Sequence, residues 1–355
     1  MTATRRPGLL FSRWAVTALG RAICTFRHVN EELAPEATAR SARAPQPLAE
    51  LHPLPLHELA ERVKGEPLDS EDKRIVRFVE KEFNWKRKHL HMERDDDRAL
   101  GAKALALGIP VFHPFGNFYA LTFHPDGNVL YSVNAGKGRP LDQVASVVTT
   151  RSYIESLFNW DRVPAGLGTG QVKGLIDRLY RKGPFGFRGP AADEIPGYLT
   201  TGVNGVPTVQ LIAPGYGCAS NELIAEAIGE AGVKLLAITS ANISSHLTGQ
   251  ESAAHYRASG IRRDFGRREP QCMIFGHDER SAGKRYPLHA PMSVSIVGFH
   301  EDLGEDAVGI ERWGSLDIPE IGTEVARQGL TYKIMPKAET RQLQASYRTR
   351  RRRRG

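Results

Sequence analysis

The sequence has few cysteines and no long hydrophobic run. Its 355 residues include three cysteines, Cys24, Cys218 and Cys272. They are too far apart for a CxxC metal site and odd in number for a disulfide framework, a usage typical of a reducing compartment. No stretch approaches the roughly 18 consecutive apolar residues of a membrane span. We therefore predict a chain that does not associate with a membrane.

Common catalytic and metal-binding signatures are also missing. The sequence contains no HExxH motif and no recognisable Ser-His-Asp spacing, and its twelve histidines are scattered. In the segment WKRKHLHMERDDD, His89 and His91 precede several acids. Residues two positions apart do not share a helical face, so a solvated helix face is the preferred interpretation over a metal site. We predict no protein-bound metal.

The positive charge is concentrated at the C-terminal end. The formal net charge is +8, and six arginines, Arg348 and residues 350–354, lie in the last eight positions. The rest of the chain is therefore close to balanced. Such a run predicts a solvated tail. The alternative is a non-specific, salt-dependent contact with RNA or another polyanion.

The first thirty residues are rich in arginine and contain no acid before Glu31. An arginine-rich, acid-poor amphipathic start is typical of an organellar transit peptide. A misplaced start codon in a GC-rich gene would produce the same pattern. We predict a cytoplasmic protein, with a mitochondrial location as the alternative if the segment is a transit peptide.

Composition divides the chain into four parts. We predict an extension and linker over residues 1–60, a helical segment over 61–102, an α/β domain over 103–330 and a basic tail over 331–355. Within the α/β domain, short β-prone runs alternate with helical ones. The β-prone runs are IPVFHPF, FYALTFH, NVLYSV, VASVVTT, PTVQLIA, KLLAITS, QCMIFG and SVSIVGF, and the helical ones are SYIESLF, VKGLIDRLYRK and ASNELIAEAIGEAG. This alternation predicts a mainly parallel or mixed sheet with helices packed on it.

Two cations in one short segment are the first candidate for chemistry. Lys137 and Arg139 alternate with Gly138 and Pro140, which predicts a rigid turn that presents both charges to one ligand. Lysine is a compact point charge and arginine a planar fork, and together they suit a polyphosphate or a carboxylate.

Three further segments carry polar groups at the ends of predicted strands. One is a strand, a turn at Pro114 and a second strand, and another ends in Thr239-Ser240-Ala241-Asn242. The carboxyl ends of strands are where open α/β sheets bind ligands. The last is the strand 292–299, followed by Arg312 before a glycine turn. The loop 166–171, GLGTGQ, could cradle a phosphate, but it lacks the Lys-Ser/Thr of a P-loop, so we interpret it as a helix start.

Taken in order, these segments resemble the YrdC-type threonylcarbamoyl-adenylate synthases, as a divergent member. The resemblance implies a twisted open mixed sheet flanked by helices, here with a partly helical N-terminal extension. It implies synthesis of threonylcarbamoyl-adenylate from ATP with Mg²⁺, bicarbonate and threonine or a similar small amino acid. The product would pass to a transferase that modifies tRNA.

The resemblance also assigns roles to residues. Lys137, Arg139, Ser240 and Asn242 match the catalytic tetrad of the family, with the two cations on phosphate and carboxylate groups, and Arg312 would reach the nucleotide. The other residues implied to bind substrate or nucleotide are Pro114, Asn117, Tyr119, Thr239, Ser293 and Ser295.

The opening segment and one later position depart from the family pattern. Phe115 and Asn117 stand where the family has two threonines, and Ile212 stands where it has an arginine. Two alternatives therefore stay open: an RNA-binding protein without catalysis, and a carbamoyl-adenylate enzyme with a different acceptor. Release of pyrophosphate discriminates between them.

Overall fold

The computed structural model describes residues 90–116, 118–242, 255, 257–265, 272–290 and 292–338. These residues belong to one compact unit, Lys88–Gly355. In the described part, the α-helices are α1 (Asp95–Ala106), α2 (Gly127–Lys137), α3 (Thr169–Lys182), α4 (Ser220–Ala231), α5 (Ala258–Phe265), α6 (Glu279–Arg285) and α7 (Ile318–Ala326).

Twelve strands form one sheet within the described residues. They are β1 (Leu90–His91), β2 (Val111–Phe115), β3 (Phe118–Phe123), β4 (Ser146–Val148), β5 (Phe185–Pro190), β6 (Thr201–Val203), β7 (Val206–Ala213), β8 (Leu236–Ser240), β9 (Met273–Gly276), β10 (Ile296–Gly298), β11 (Ala307–Arg312) and β12 (Thr331–Ile334).

The sheet is mixed. Its strand order is β1-β9-β2-β3-β8-β4-β7-β5-β10-β11-β12, and β6 pairs with β7 outside this path. Parallel pairs such as β4–β7 and β5–β10 alternate with antiparallel pairs such as β4–β8 and β5–β7. The sheet therefore confirms the predicted fold class. It includes β1 and β12, so it extends past both predicted boundaries, residues 103 and 330.

The register of the strands separates an apolar face from a polar one. Side chains directly opposite each other on paired strands share a face, as do residues two apart along one strand. Ala237, Val147, Leu211, Phe187 and Val297 are partners in successive strand pairs, and all of them are buried. Helix α3 contributes its apolar stripe to the same core. The other face of these strands is where polar residues lie.

Several local predictions are wrong in the structure. The run NVLYSV, predicted as a strand, lies in helix α2. The Asp126 side chain accepts hydrogen bonds from Asn128 N and Val129 N at the start of that helix, and Gly138 ends it in the left-handed region (φ 65°). Its apolar residues, Leu130 and Val133, therefore face the core at helical spacing.

Two further corrections concern the turn at Pro114 and the segment SYIESLF. Pro114 lies inside β2, opposite Tyr119, and the left-handed conformation that reverses the chain belongs to Gly116 (φ 69°) because glycine adopts it without steric cost. SYIESLF contains the short 3₁₀ turns Arg151–Tyr153 and Glu155–Leu157 instead of an α-helix. A third correction concerns the segment 61–102, predicted as helical: among its described residues, Leu90 and His91 form β1 and the helix begins at Asp95.

Candidate functional site

The two candidate cations lie where helix α2 ends. Lys137 is its last residue, and the left-handed Gly138 turns the chain so that Arg139 follows directly. Asn134 holds the returning segment in place, since its Nδ2 donates to Leu141 O (3.0 Å) and Gln143 O (2.8 Å). The predicted turn is therefore a helix C-terminus that fixes both cations relative to α2.

Both cations converge on the end of strand β8. Lys137 Nζ donates to Thr239 Oγ1 at 3.2 Å and to the carbonyl oxygen of Ser240. Arg139 Nη1 donates to the same Thr239 Oγ1 at 2.5 Å. Ser240 Oγ in turn donates to Asn242 Oδ1 at 2.5 Å. The structure thus brings Lys137 and Arg139 to Thr239 and to the backbone of Ser240. The Ser240 side chain bonds Asn242 and lies on the opposite face of β8 from Thr239, because Thr239 is two residues from Ala237 and Ser240 is two residues from Ile238.

The two cations of this cluster are largely removed from water, and this lowers the pKa of each side chain. Lys137 is 1% exposed. Burial, together with the neighbouring charge of Arg139, lowers its pKa well below the ordinary lysine value. Burial also lowers the pKa of Arg139 to about 10. Neither side chain forms an ion pair with a carboxylate in the part of the chain that the structure describes. A bound anion would supply the missing counter-charge.

A row of polar side chains crosses the sheet on the face that carries Ser240. Ser240 lies two residues beyond Ile238, whose partner on β4 is Ser146. Gln210 Nε2 donates to Ser146 Oγ at 2.6 Å, and Arg188 Nη2 donates to Gln210 Oε1 at 2.6 Å. We name Ser146, Gln210, Arg188 and Glu311 the polar row.

The far end of the polar row is an ion pair between β5 and β11. Arg188 Nε lies 2.9 Å from Glu311 Oε2. Strand β10 runs between these strands, and its residue opposite Arg188 is Gly298. A Cβ at Gly298 would collide with Glu311 Oε1. The missing side chain at this position lets Glu311 reach across β10 to Arg188.

Burial changes the pKa of Glu311, the carboxylate at this end of the polar row. Burial raises the pKa of the Glu311 carboxyl to about 7, against the opposing charge of Arg188. His300 Nδ1 lies 3.5 Å from Glu311 Oε1, and burial lowers the pKa of that imidazole to about 4.

Sequence reasoning missed the polar row. Its only signal was a polar residue with a long side chain in each of two largely apolar strands, Arg188 in FGFRGP and Gln210 in VPTVQLIA.

Ser293, Ser295 and Arg312 form a separate group. Ser295 Oγ donates to Leu316 O (2.6 Å) and accepts from Gly314 N (3.0 Å), so it secures the turn after β11. Arg312 Nε donates to Val294 O at 2.7 Å, and burial lowers its pKa to about 10. Three strands, β4, β7 and β5, separate β8 from β10. At about 4.8 Å per strand, this group is roughly 19 Å from the tetrad along the sheet.

The described site residues predicted in the strand–turn–strand segment around Pro114 lie in a third place, apart from both groups described above. Tyr119 is buried, and its hydroxyl donates to Phe275 O at 2.9 Å, so it is bound to the backbone of β9. Pro114 lines a small cavity with Gly116, Cys218 and Tyr286. Asn117 lies outside the described residues. Among the described residues that line this cavity, none belongs to the tetrad.

The loop 166–171 begins helix α3, as expected of a helix start. Gly166 O accepts from Asp306 N at 2.8 Å, and Gln171 Nε2 donates to Gln328 O at 3.2 Å. These contacts pack the loop against neighbouring segments.

No protein-family model matches the sequence, and no curated protein matches it. Among solved structures, the chain is similar to a double variant of Sua5 from P. abyssi, with 19% identity and a TM-score of 0.51 over 68% of this chain and 63% of that one. It is likewise similar to P. abyssi Sua5 complexed with L-threonine, with 19% identity and a TM-score of 0.50 over 68% and 60% of the two chains.

This chain has the YrdC/Sua5-type fold. The similarity confirms the fold that the sequence resemblance implied, and at this identity it concerns the fold alone. The chain aligns with about three fifths of the length of the Sua5 chains.

Two further features of this Sua5-type structure bear on function. Within the described ranges, no group of three or more His, Cys, Asp or Glu side chains is placed to hold a metal ion. Among the same residues, no helix is both long enough and apolar enough to cross a bilayer.

Proposed function

We propose that this chain is an ATP-dependent nucleotidyltransferase of the threonylcarbamoyl-adenylate synthase type. It joins ATP, bicarbonate and threonine or a similar small amino acid, and it releases pyrophosphate. The observation that supports this proposal most directly is the buried cation pair, Lys137 and Arg139, which meets Thr239 and Ser240 at the end of β8 without a carboxylate partner in the described residues. P. abyssi Sua5, which shares the fold, forms a complex with L-threonine, and this supports an amino acid as the second substrate here.

The phosphates of ATP provide the anion that the cation pair lacks. A buried lysine with a lowered pKa gains its proton more readily when a phosphate lies beside it. Arginine adds a fork that can bind two phosphate oxygens at once. Mg²⁺ enters as part of the substrate, MgATP, because this ion prefers phosphate oxygens and water over a dedicated protein cage.

The reaction itself requires mainly positioning and charge neutralisation. The amino group of the acceptor forms a carbamate with bicarbonate, releasing water. A carbamate oxygen then attacks the α-phosphorus, the new P–O bond forms, and the bond to pyrophosphate breaks. Lys137 and Arg139 neutralise the charge that develops on the phosphate oxygens, while Ser240 and Asn242 offer neutral hydrogen bonds. The adenylate would then pass to a transferase that modifies tRNA.

Two measurements test this proposal. ATP is expected to raise the melting temperature, because a ligand that binds only the folded state stabilises it by mass action. Lys137→Ala and Arg139→Ala should each remove most of that shift. Lys173→Ala is the matched control, since Lys173 is partly exposed and paired with Glu155 at 2.7 Å.

Pyrophosphate release with bicarbonate and each of the twenty amino acids then reports catalysis. An ATP-dependent shift that persists in both variants would remove Lys137 and Arg139 from the nucleotide site. Binding of ATP without pyrophosphate release for any amino acid would contradict the assigned reaction. Such a result, with RNA retained by the protein at low salt, would favour the RNA-binding alternative.

A further inference from the structure

A small cavity lies at the carboxyl ends of three neighbouring parallel strands, β1, β9 and β2. Its lining comes from the residues that follow these strands, from the start of helix α4, and from helix α6 with the residue after it. The carboxyl ends of parallel strands are where α/β sheets bind ligands. Among the described residues, no member of the tetrad lines this cavity. It is therefore a candidate site in its own right.

The cavity has a buried floor and a charged rim. Cys218 and Tyr286, at its floor, are 8% and 6% exposed. Glu93, Asp278 and Arg285 also line it, and all three are exposed. The volume is about 30 Å³, which is room for roughly two water-sized groups. A ligand from solvent would therefore bury one small group against the floor.

The Tyr286 hydroxyl is the observation that points to a ligand. It is buried without a hydrogen-bond partner among the described residues, although the Cys218 thiol and the Arg285 guanidinium lie near enough to influence its pKa. Burial raises that pKa, so the hydroxyl keeps its proton and acts as a donor. A buried hydroxyl without a partner is costly, and native structures rarely contain one unless water or a ligand completes it.

Helix α4 begins at the same cavity. No side chain caps its first turn, and Cys218 and Ala219, which precede the helix, line the cavity. The first N–H groups of a helix lack intrahelical partners and lie at the positive end of its dipole, which favours an anion. Glu222, the acid of this first turn, is paired with Arg98 at 2.8 Å and does not line the cavity.

The charges at the rim favour a single negative charge. Arg285 Nη1 donates to Gly217 O at 3.0 Å, which fixes the guanidinium beside the start of α4. The two acids of the rim are engaged elsewhere, since Glu93 Oε2 lies 2.6 Å from His91 Nδ1 and Asp278 accepts from N–H groups at the start of α6. Their charges still oppose a polyanion.

We propose that this cavity binds the carboxylate group of a small molecule, with Tyr286, Arg285 and the start of helix α4 as its donors. A carboxylate has two oxygens and only accepts hydrogen bonds, which matches a hydroxyl, a guanidinium and backbone N–H groups. The site is separate from the tetrad, so this inference does not rest on the proposed function.

The donors are held in place before a ligand arrives. The Tyr286 ring packs edge-on against His289, with the ring centroids 6.0 Å apart, and Arg285 is bound to the backbone at Gly217. Groups that are already fixed lose little conformational freedom on binding. A small carboxylate, which offers few contacts, depends on such preorganisation.

Acetate and acetamide, which have the same shape and differ in charge, are the probes for this site. Both are compared at constant ionic strength, with sodium chloride as the balancing salt. Acetate should raise the melting temperature by mass action, and acetamide should not. Alkylation of Cys218 by iodoacetamide, followed on the Cys218 peptide by mass spectrometry, then locates the site. Acetate at about four times its Kd should slow this labelling about five-fold, the factor 1 + [acetate]/Kd.

Three variants separate binding from folding. Tyr286→Phe removes a hydroxyl that has no partner among the described residues, so the melting temperature without acetate should not fall, while the acetate effect should fall by more than half. Arg285→Gln should remove most of the acetate effect, and Arg285→Lys should keep part of it, because lysine retains the charge and loses the fork. Arg280→Gln is the control, since Arg280 is exposed on the same helix and does not line the cavity.

Pyrophosphate tests the preference for a single charge. It should protect Cys218 less than acetate does, because the rim carries Glu93 and Asp278. Protection by pyrophosphate equal to that by acetate would make this a phosphate site and overturn the assignment of a carboxylate.

The remaining outcomes also decide the proposal, and they separate it from the proposed function. Equal effects of acetate and acetamide on the wild-type protein, or an acetate effect that persists in both Tyr286→Phe and Arg285→Gln, would overturn it. A Cys218 that iodoacetamide does not label in the absence of acetate would show that the cavity is closed to a group of this size. Lys137→Ala should keep the acetate effect, and Arg285→Gln should keep the ATP-dependent thermal shift, so each idea can fail without the other.

Discussion

Replacing Lys137 by methionine isolates the effect of burying a charge in the candidate site. The side chain is 1% exposed and has no carboxylate partner in the described part of the chain. Methionine is unbranched, has a similar length and carries no charge. The variant therefore keeps the packing of helix α2 and removes the proton equilibrium at this position.

The expected effect on stability follows from linkage. In the unfolded chain Lys137 titrates near its ordinary value of 10.5, and in the folded protein burial and Arg139 lower the pKa well below that. Between the two pKa values the unfolded state binds more protons, so the free energy of unfolding rises with pH by up to about 1.4 kcal/mol per pH unit. Below the folded pKa both states carry the proton and this slope disappears. Lys137→Met should lack the slope entirely.

Urea unfolding of the wild-type protein and of Lys137→Met, at intervals between pH 7 and pH 10, measures this difference. Other titrating groups cancel in the comparison, and the wild-type protein should gain stability relative to the variant as the pH rises. Lys173→Met, at a partly exposed lysine paired with Glu155, should follow the wild-type curve. Parallel curves for wild type and Lys137→Met would refute the argument that Lys137 is buried with a depressed pKa. Calorimetry of ATP binding in two buffers of different ionisation enthalpy should also detect proton uptake in the wild-type protein alone.

Three further predictions concern other parts of the molecule. Asn242→Ala should reduce pyrophosphate release with little change in urea stability; unfolding of this variant would instead make Asn242 a structural residue. Gly298→Ala should displace Glu311 from Arg188 and lower the free energy of unfolding by about 1–3 kcal/mol. A change below about 0.5 kcal/mol in the same urea assay would show that the ion pair accommodates the methyl group. Deletion of residues 348–355 should leave adenylation intact and reduce RNA retention on a filter at low salt, by a margin that shrinks as salt rises. Loss of catalysis on this deletion would contradict a solvated tail.

Much of the fold was accessible from sequence because the local signals agree with the tertiary structure. The apolar runs that form β7 and β8 are bounded by turn residues, and the apolar stripe of α3 has helical spacing. The segment around Leu130 was misassigned because its apolar residues also fit a short strand. The features that decide it, the Asp126 cap and the left-handed Gly138, lie at its ends.

The tetrad could be anticipated because each half of it is a short motif. Lys137 and Arg139 are two residues apart, as are Ser240 and Asn242, so only one long-range contact had to be inferred. The polar row offers no such help. Its four members come from four strands, and their proximity depends on the order β4-β7-β5-β10-β11 and on the register of each pair. No local pattern contains that information.

The polar row changes the meaning of the departure at Ile212. Sequence comparison with the YrdC-type pattern suggested a pocket that had lost a cation, because Ile212 stands where the family has arginine. In the structure, Ile212 pairs with Gly186 and Gln210 with Arg188, so Arg188 lies diagonally across from Ile212 on the same face. Diagonal neighbours of this kind are about 7–8 Å apart, within reach of a long side chain. The face therefore still carries a cation. It lies on the neighbouring strand β5, opposite Gln210, which is two residues from Ile212 along β7. The substitution at Ile212 therefore does not remove positive charge from this face, and the altered opening at Phe115 and Asn117 is the departure that we expect to change the acceptor preference.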